Sequence, residues 1–296
     1  MQAPVVDDAP GLTGAQLDAI ADLDRRVTAH DGGRLKLEWG VIRERPAREV
    51  NDLLAWGGGT LVGYCGLHQF GSEPELAGAV DPACRRQGIG SALLARALEL
   101  VAGRGRVRVL LVTPTATETG RRFALAKGAM LDHSEHHLEL VGEPAGPPAV
   151  RPSTAALRIR LARDDEEDRR MIVSILEAGF GEGAAYAGQA GPSDLAFVAE
   201  RDGDAVGTVR LDLGGDPAGI YGLAVRPDAR GQGIGRAVLY ETCLEARRRG
   251  ARRLTLEVET DNDHALGLYT SAGFELRTTE DYFAIAVAHA RASAPS

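Results

Sequence analysis

Val225-Arg-Pro-Asp-Ala-Arg-Gly-Gln-Gly-Ile-Gly235 follows an apolar run, Ala218-Gly-Ile-Tyr-Gly-Leu-Ala-Val225, and leads into a helical pattern from about Arg236 to Arg249. A strand that stops at Pro227, three glycines able to take left-handed conformations, and a helix that begins at once leave several backbone N–H groups aimed at one point. The positive end of the helix dipole reinforces them, so the stretch reads as an anion site of a size to suit a pyrophosphate. No lysine follows the last glycine, which sets the stretch apart from a P-loop. Nor does Gly-x-Gly-x-x-Gly open a dinucleotide fold at this place.

The same pattern occurs earlier, as Val80-Asp-Pro-Ala-Cys-Arg-Arg-Gln-Gly-Ile-Gly90, at a constant distance of 145 residues that also relates Gly128 to Gly273. Such a constant offset predicts two fused copies of one domain. Between them, Gly142-Glu-Pro-Ala-Gly-Pro-Pro-Ala-Val-Arg-Pro-Ser153 has no apolar periodicity and reads as a stiff linker. The expected division is therefore a domain at 1–141, a linker at 142–157 and a domain at 158–290.

Around the second glycine stretch, strands are predicted over Ala196–Glu200, Ala205–Leu213, Ala218–Val225 and Leu254–Val258, with a last one near Tyr282–Val287. Helices are predicted from Arg236 to Arg249, ended by Gly250, and from Asp263 to Ala272, with Asn262 or Asp263 as N-cap. In the first copy Leu94, Ala97, Leu98 and Val101 form an i, i+3, i+4, i+7 stripe. Strands outnumber the helices between them, so each copy is expected to be a mixed α/β (α+β) sheet domain.

The 296 residues suffice for two such domains, and 44% apolar with 26% charged residues is an ordinary globular composition. A net charge of −8 disfavours a broad grip on nucleic acid or on an anionic membrane. No apolar run is long enough to span a bilayer. Residues Met1–Pro10 lack the basic and apolar regions of a secretory signal, which makes the cytoplasm the expected compartment. Cys65, Cys84 and Cys243 are scattered, without Cys-x-x-Cys spacing, and argue against both a disulfide framework and a zinc-thiolate site. His133, His136 and His137 invite a metal reading, but a strand there puts His136 opposite the other two and no fourth ligand is near. A structural or surface role is expected for them, and no metal.

Arg85-x-x-Gly88-x-Gly90 and Arg230-x-x-Gly233-x-Gly235, each after Val-x-Pro, resemble the acyl-CoA loop of the GNAT superfamily of N-acetyltransferases. Downstream, Asn262-x-x-Ala265-x-x-Leu268-Tyr269-x-x-x-Gly273-Phe274 is similar to that superfamily's other hallmark segment. The resemblance spans essentially the whole chain as a tandem pair. It implies two GNAT folds, acetyl-CoA as acyl donor, and direct transfer to a primary amine in a ternary complex. The pantetheine is then expected to pair with backbone at Leu223, Ala224 and Val225 as an added strand. The pyrophosphate is expected on the main-chain amides of Gln232, Gly233, Ile234, Gly235 and Arg236, with Arg230, Gly231 and Asn262 also at the cofactor. In the first copy the corresponding residues are Val80, Arg85, Arg86, Gln87, Gly88, Ile89, Gly90 and Ser91.

The Leu-Glu-Val and Leu-Tyr pieces also resemble the ribosomal-protein-alanine acetyltransferase type. This implies Glu257 as general base and Tyr269 as general acid. A solvent-facing strand carboxylate and a core aromatic are the bland alternatives for these two. Tyr221, Asp212 and Glu259 are the fallback bases, the last two because they lie on neighbouring strands, and a relayed water is a further one. The superfamily often carries a base on the strand before the glycine loop, and here that strand has no carboxylate. Arg247-Arg-Arg249, at a helix C-terminus, is a further candidate for the 3′-phosphate, with a solvated basic helix end as the simpler account.

In the first copy Glu257, Asn262 and Tyr269 become Val112, Thr117 and Ala124, so that copy is expected to be catalytically degenerate. A degenerate first half in a tandem chain resembles the mycothiol synthases, which acetylate a cysteinyl amine. Antibiotic or peptide amines fit the same motifs. From another class, a non-catalytic acyl-CoA sensor would carry them too.

Overall fold

The computed structural model describes residues 5–69, 73–146, 157–181 and 194–287. The first repeat runs β1 (Val6–Pro10), α1 (Gly14–Asp31), α2 (Trp39–Arg43), β2 (Val50–Gly57), β3 (Thr60–His68), β4 (Glu75–Val80), α3 (Ile89–Gly103), β5 (Arg108–Pro114), α4 (Glu118–Ala126) and β6 (Met130–Leu140). The second runs β7 (Leu157–Leu161), α5 (Glu166–Phe180), β8 (Asp194–Arg201), β9 (Asp204–Asp212), β10 (Ala218–Val225), α6 (Ile234–Arg248), β11 (Leu254–Glu259), α7 (Asp263–Ser271) and β12 (Phe274–Ala286). The mixed α/β architecture is therefore as expected. Among the described residues no helix is long and apolar enough to cross a membrane.

The compact units do not follow the repeat boundary. One holds the chain up to Ser134 together with the part from Thr278 on; the other is Glu135–Arg277. In the first unit the strand order is β1-β2-β3-β4-β5-β12, antiparallel except for β4 with β5. In the second it is β6-β11-β10-β9-β8-β7, antiparallel except for β10 with β11. Each repeat thus gives its last strand to the unit built around the other. The division expected at 142–157 differs from this because repeats are read along the chain whereas units are set by packing. Leu138 and Leu140 of β6 are buried in the core that surrounds α6, while Phe283 of β12 is buried in the core around α3. Residues 147–156 of the expected linker lie outside the described residues.

The helices form for local reasons. At both glycine turns the residue before the helix, Gly88 (φ 88°) or Gly233 (φ 84°), is left-handed, a conformation costly to any residue with a Cβ. Val238, Leu239, Cys243 and Ala246 then line one buried face of α6. Each large side chain there is worth roughly 1.5–3 kcal/mol in burial. Arg247 and Arg248 in its last turn suit the negative end of the dipole. Helix α5 opens on Asp165, whose side chain accepts the Asp168 N–H at 2.9 Å, and carries three acids in its first turn. Asp168 is fully buried and accepts from Arg160 (2.5 and 2.9 Å) and Arg163 (2.7 Å).

Candidate active site

In the second unit β10 and β11 pair only from Ala218 with Leu254 to Ile220 with Leu256. Beyond that point they part. On its other side β10 breaks register with β9 between Tyr221 and Ala224, so Gly222 (φ 60°) and Leu223 fall in a bulge. A bulge increases local twist and re-aims the backbone, which here drives the strand away from β11. The result is a fork whose first residues are Tyr221 on one arm and Glu257 on the other. Ala224 and Val225 pair with Thr208 and Gly207 of β9, so the β11-facing edge of this arm is open to an added strand.

The glycine turn lies at the end of the same arm. Regular hydrogen bonding resumes when Ala237 N–H donates to Gly233 O (3.1 Å), so the first-turn amides before it have no intrahelical acceptor. The side chains expected there are mostly occupied elsewhere. Arg230 Nε donates to Val225 O (3.0 Å), and Arg85 Nε donates to Val80 O (3.1 Å) in the same way. These arginines tie the turn to the strand end and thereby shape it. Arg236 reaches Ser271 Oγ (2.5 Å) and Ser271 O (2.6 Å), and Gln232 is bonded to Arg201. Asn262 Oδ1 accepts the Ala265 N–H at 3.1 Å and so caps α7. Arg247 donates to the carbonyls of Ala251 (3.0 Å) and Gly142 (3.2 Å), while Arg248 and Arg249 donate to Glu245 (2.8 and 2.7 Å). The first-turn N–H groups of the main chain stay available to an anion.

Tyr269 on α7 is 8% exposed and packs edge-on to Phe274, ring centroids 6.3 Å apart, in the core shared with Leu256 and Val258. Burial pushes its phenol up to about 12. Among the described residues nothing is hydrogen-bonded to its hydroxyl. By alternation Glu257 projects from the opposite face of β11, together with Thr255 and Glu259. Base and acid candidates are thus on opposite faces of the strand, with the fork as the opening between them. Glu257 lies opposite His137 of β6, Oε1 to Nδ1 3.7 Å. Tyr221 lies opposite Arg210, whose guanidinium sits 5.2 Å over its ring. The bulge and the His137 pairing were missed from sequence, since both arise from register and neither has a local residue signature.

The first unit keeps the turn but not the bulge. Its β4 pairs with β3 without a break from Glu75 to Val80. Val80, Arg85, Arg86, Gly88, Ile89, Gly90 and Ser91 line a cavity of about 910 Å³, a volume suited to a cofactor. Gln87 is not part of its wall. The cavity passes the ends of β4 and β5 to Leu35 and Tyr64. The residue facing α7's role, Ala124, is buried and offers no hydroxyl. Thr117 precedes α4 with no side-chain capping bond, where Asn262 caps its counterpart. Among the described residues no group of three or more His, Cys, Asp or Glu could hold a metal. Burial raises the Cys65 and Cys243 thiols to about 12, which makes both poor nucleophiles.

The Acetyltransferase (GNAT) family model matches residues 19–127 and again 161–274. The chain belongs to the GNAT family. It is an acyltransferase built from two such domains, and members of the family use acetyl-CoA. The mycothiol acetyltransferase of Rhodococcus jostii is 31% identical over 99% of this chain and 100% of its own length. That of Geodermatophilus obscurus is 31% identical over 92% of this chain and 95% of its own. Among solved structures, a GCN5-related N-acetyltransferase from Sphaerobacter thermophilus superposes with a TM-score of 0.75 at 19% identity, over 97% of both chains. A tandem GNAT protein from the clavulanic acid biosynthesis pathway gives 0.70 at 21% identity, over 99% of this chain and 98% of that one. These two similarities speak for the fold.

Proposed function

We propose that the second unit transfers the acetyl group of acetyl-CoA to a primary amine, and that the first unit binds acetyl-CoA without turning it over. The observation that carries this is the forked, bulged β10 of the second unit, set beside a buried tyrosine hydroxyl, against an unbroken β4 and an alanine in the first. Acetyl-CoA supplies the activated acyl group. Backbone N–H groups of 231–236 hold its diphosphate, and the open edge at Leu223 and Val225 orients its pantetheine arm. Glu257 takes the proton that the amine loses as its nitrogen bonds to the acyl carbon. Tyr269 donates a hydrogen bond to the sulfur as the carbon–sulfur bond breaks. The acceptor is a cysteinyl amine, a choice supported by the full-length likeness to enzymes named mycothiol acetyltransferase.

The test is a thiol-release assay on the full chain with a cysteinyl amine glycoside, free amino acids and peptide N-termini as competing acceptors. Preference for the cysteinyl amine is the expected result. Binding of acetyl-CoA with no consumption by any acceptor would make the chain a sensor, and preference for peptides would move the acceptor class.

A further inference from the structure

From sequence, the histidines of β6 are expected to have only a structural or surface role. In the structure β6 belongs to the second unit, where Glu257 faces His137 directly in the antiparallel ladder. Directly opposed residues are near neighbours by construction of the sheet. His137 is 6% exposed, and its Nδ1 is buried with no hydrogen-bond partner while standing 3.7 Å from Glu257 Oε1. A buried nitrogen without a partner costs free energy, so a native fold retains one only where something offsets it. On β6 itself Glu139 is tied to Arg253 at 2.7 and 3.1 Å and approaches Arg277 at 3.7 Å. Glu257 is the carboxylate directly opposite His137, 3.7 Å from its Nδ1. A shift of under 1 Å turns the 3.7 Å approach into a hydrogen bond.

We infer that His137 is a positioning residue for the transfer: its ring nitrogen fixes the Glu257 carboxylate at the fork when the acceptor amine is present. This rests on the reading of Glu257 as base. One repeat thus supplies the carboxylate and the other repeat's strand supplies the group that aims it. The exchange of last strands then has a chemical consequence beyond packing, because a half-chain would lack one partner or the other. His137 does not touch the glycine turn, so acetyl-CoA binding should not depend on it.

Five full-length proteins test this: wild type, Glu257→Gln, His137→Leu, His137→Asn and the double variant His137→Leu with Glu257→Gln. Steady-state kinetics are paired with calorimetric titration of acetyl-CoA. His137→Leu should lower kcat about 10- to 100-fold, the usual cost of losing an outer partner of a reacting group. KM and Kd for acetyl-CoA should stay within about 2-fold of wild type, a margin that separates aiming from binding. His137→Asn, whose side-chain amide can offer N–H near the position of Nδ1, should recover most of the loss. Adding His137→Leu to Glu257→Gln should cost nothing further. If Glu257→Gln is slow but His137→Leu turns over like wild type, the positioning role is wrong and the base assignment stands. If Glu257→Gln itself turns over like wild type, both fall. Multiplied losses in the double variant would also overturn the coupling. Should His137→Leu not fold, His137→Ser, polar and too short to reach, takes its place in each comparison.

Discussion

Tyr269→Phe removes one oxygen from a buried ring and leaves the contact with Phe274 in place. Among the described residues that hydroxyl has no partner, so its removal strands no buried group and should change stability by less than about 1 kcal/mol. The kinetic effect depends on what the hydroxyl does. An ordinary thiol titrates near 8.5, roughly 3.5 pH units below the value of about 12 that burial gives Tyr269. Complete proton transfer from phenol to the leaving sulfur would run uphill by about 4.8 kcal/mol. Tyr269 is therefore better placed to stabilise developing charge by donating a hydrogen bond than to hand its proton over outright. A single such donor is worth about 10²- to 10³-fold in kcat, and that is the expected loss, with KM for acetyl-CoA little changed. Because the phenol stays protonated until about 12, wild-type kcat should show no alkaline fall from this group below roughly pH 11. The assay is single-turnover acetyl transfer followed by thiol release across pH, with thermal melting as the stability control. A Tyr269→Phe protein within about 3-fold of wild type, well short of the effect of one lost donor, would refute the role.

The two glycine turns can be separated by titration. Gly88→Ala and Gly233→Ala each force a Cβ into a left-handed position, a strain of about 1–2 kcal/mol. Gly88→Ala should weaken the first acetyl-CoA site about 5- to 30-fold with kcat/KM kept, whereas Gly233→Ala should weaken the second site by a similar factor and lower kcat/KM with it; calorimetry with kinetics decides. Asp168→Ala leaves Arg160 and Arg163 without their buried acceptor, and should cost about 2–4 kcal/mol, discounted from the full buried-pair value because Arg163 is half exposed. The two arginines hold the Asp168 carboxyl well below its ordinary value. Its stabilising contribution is therefore complete above about pH 4 and falls away as pH drops towards the depressed value, so acid melting should steepen below about pH 4 in wild type and flatten in the variant. Residues 158–296 alone lack β6, which pairs with β11 from Glu139–Thr255 to Glu135–Glu259. That fragment should be insoluble or molten by near-ultraviolet circular dichroism, and adding β6 back should restore folding; a well-folded 158–296 would overturn the strand exchange.

The glycine turns, the helices after them and the paired motif at Asn262–Phe274 were legible because each is enforced by residues adjacent in sequence: a glycine where φ is positive, a cap three residues from its amide, an apolar stripe at helical spacing. Helix α6 accordingly starts at Ile234, two residues before the expected Arg236, a difference within the fraying of any helix end. Strand β12 was read too short because its first half, Glu275-Leu-Arg-Thr-Thr-Glu-Asp281, is polar and announces no strand. Its extended form comes from the chain it runs beside, and propensity yields to such context. The exchange of β6 and β12 was illegible for a related reason. Leu138 and Leu140 alternate along β6 in a way that suits a core without naming which one, so periodicity alone cannot choose between Leu138 beside Leu256 and Leu138 beside Leu111. The choice lies in pairing energy summed along two ladders. The same ambiguity hid the neighbourhood of Glu257: its identity was readable at position 257, but the histidine opposite it sits 120 residues earlier in a segment that, by repeat, belongs to the other domain. In a tandem fold of this kind the residues that bind the donor announce themselves locally, while those that aim the acid–base groups are set by which strand closes which sheet.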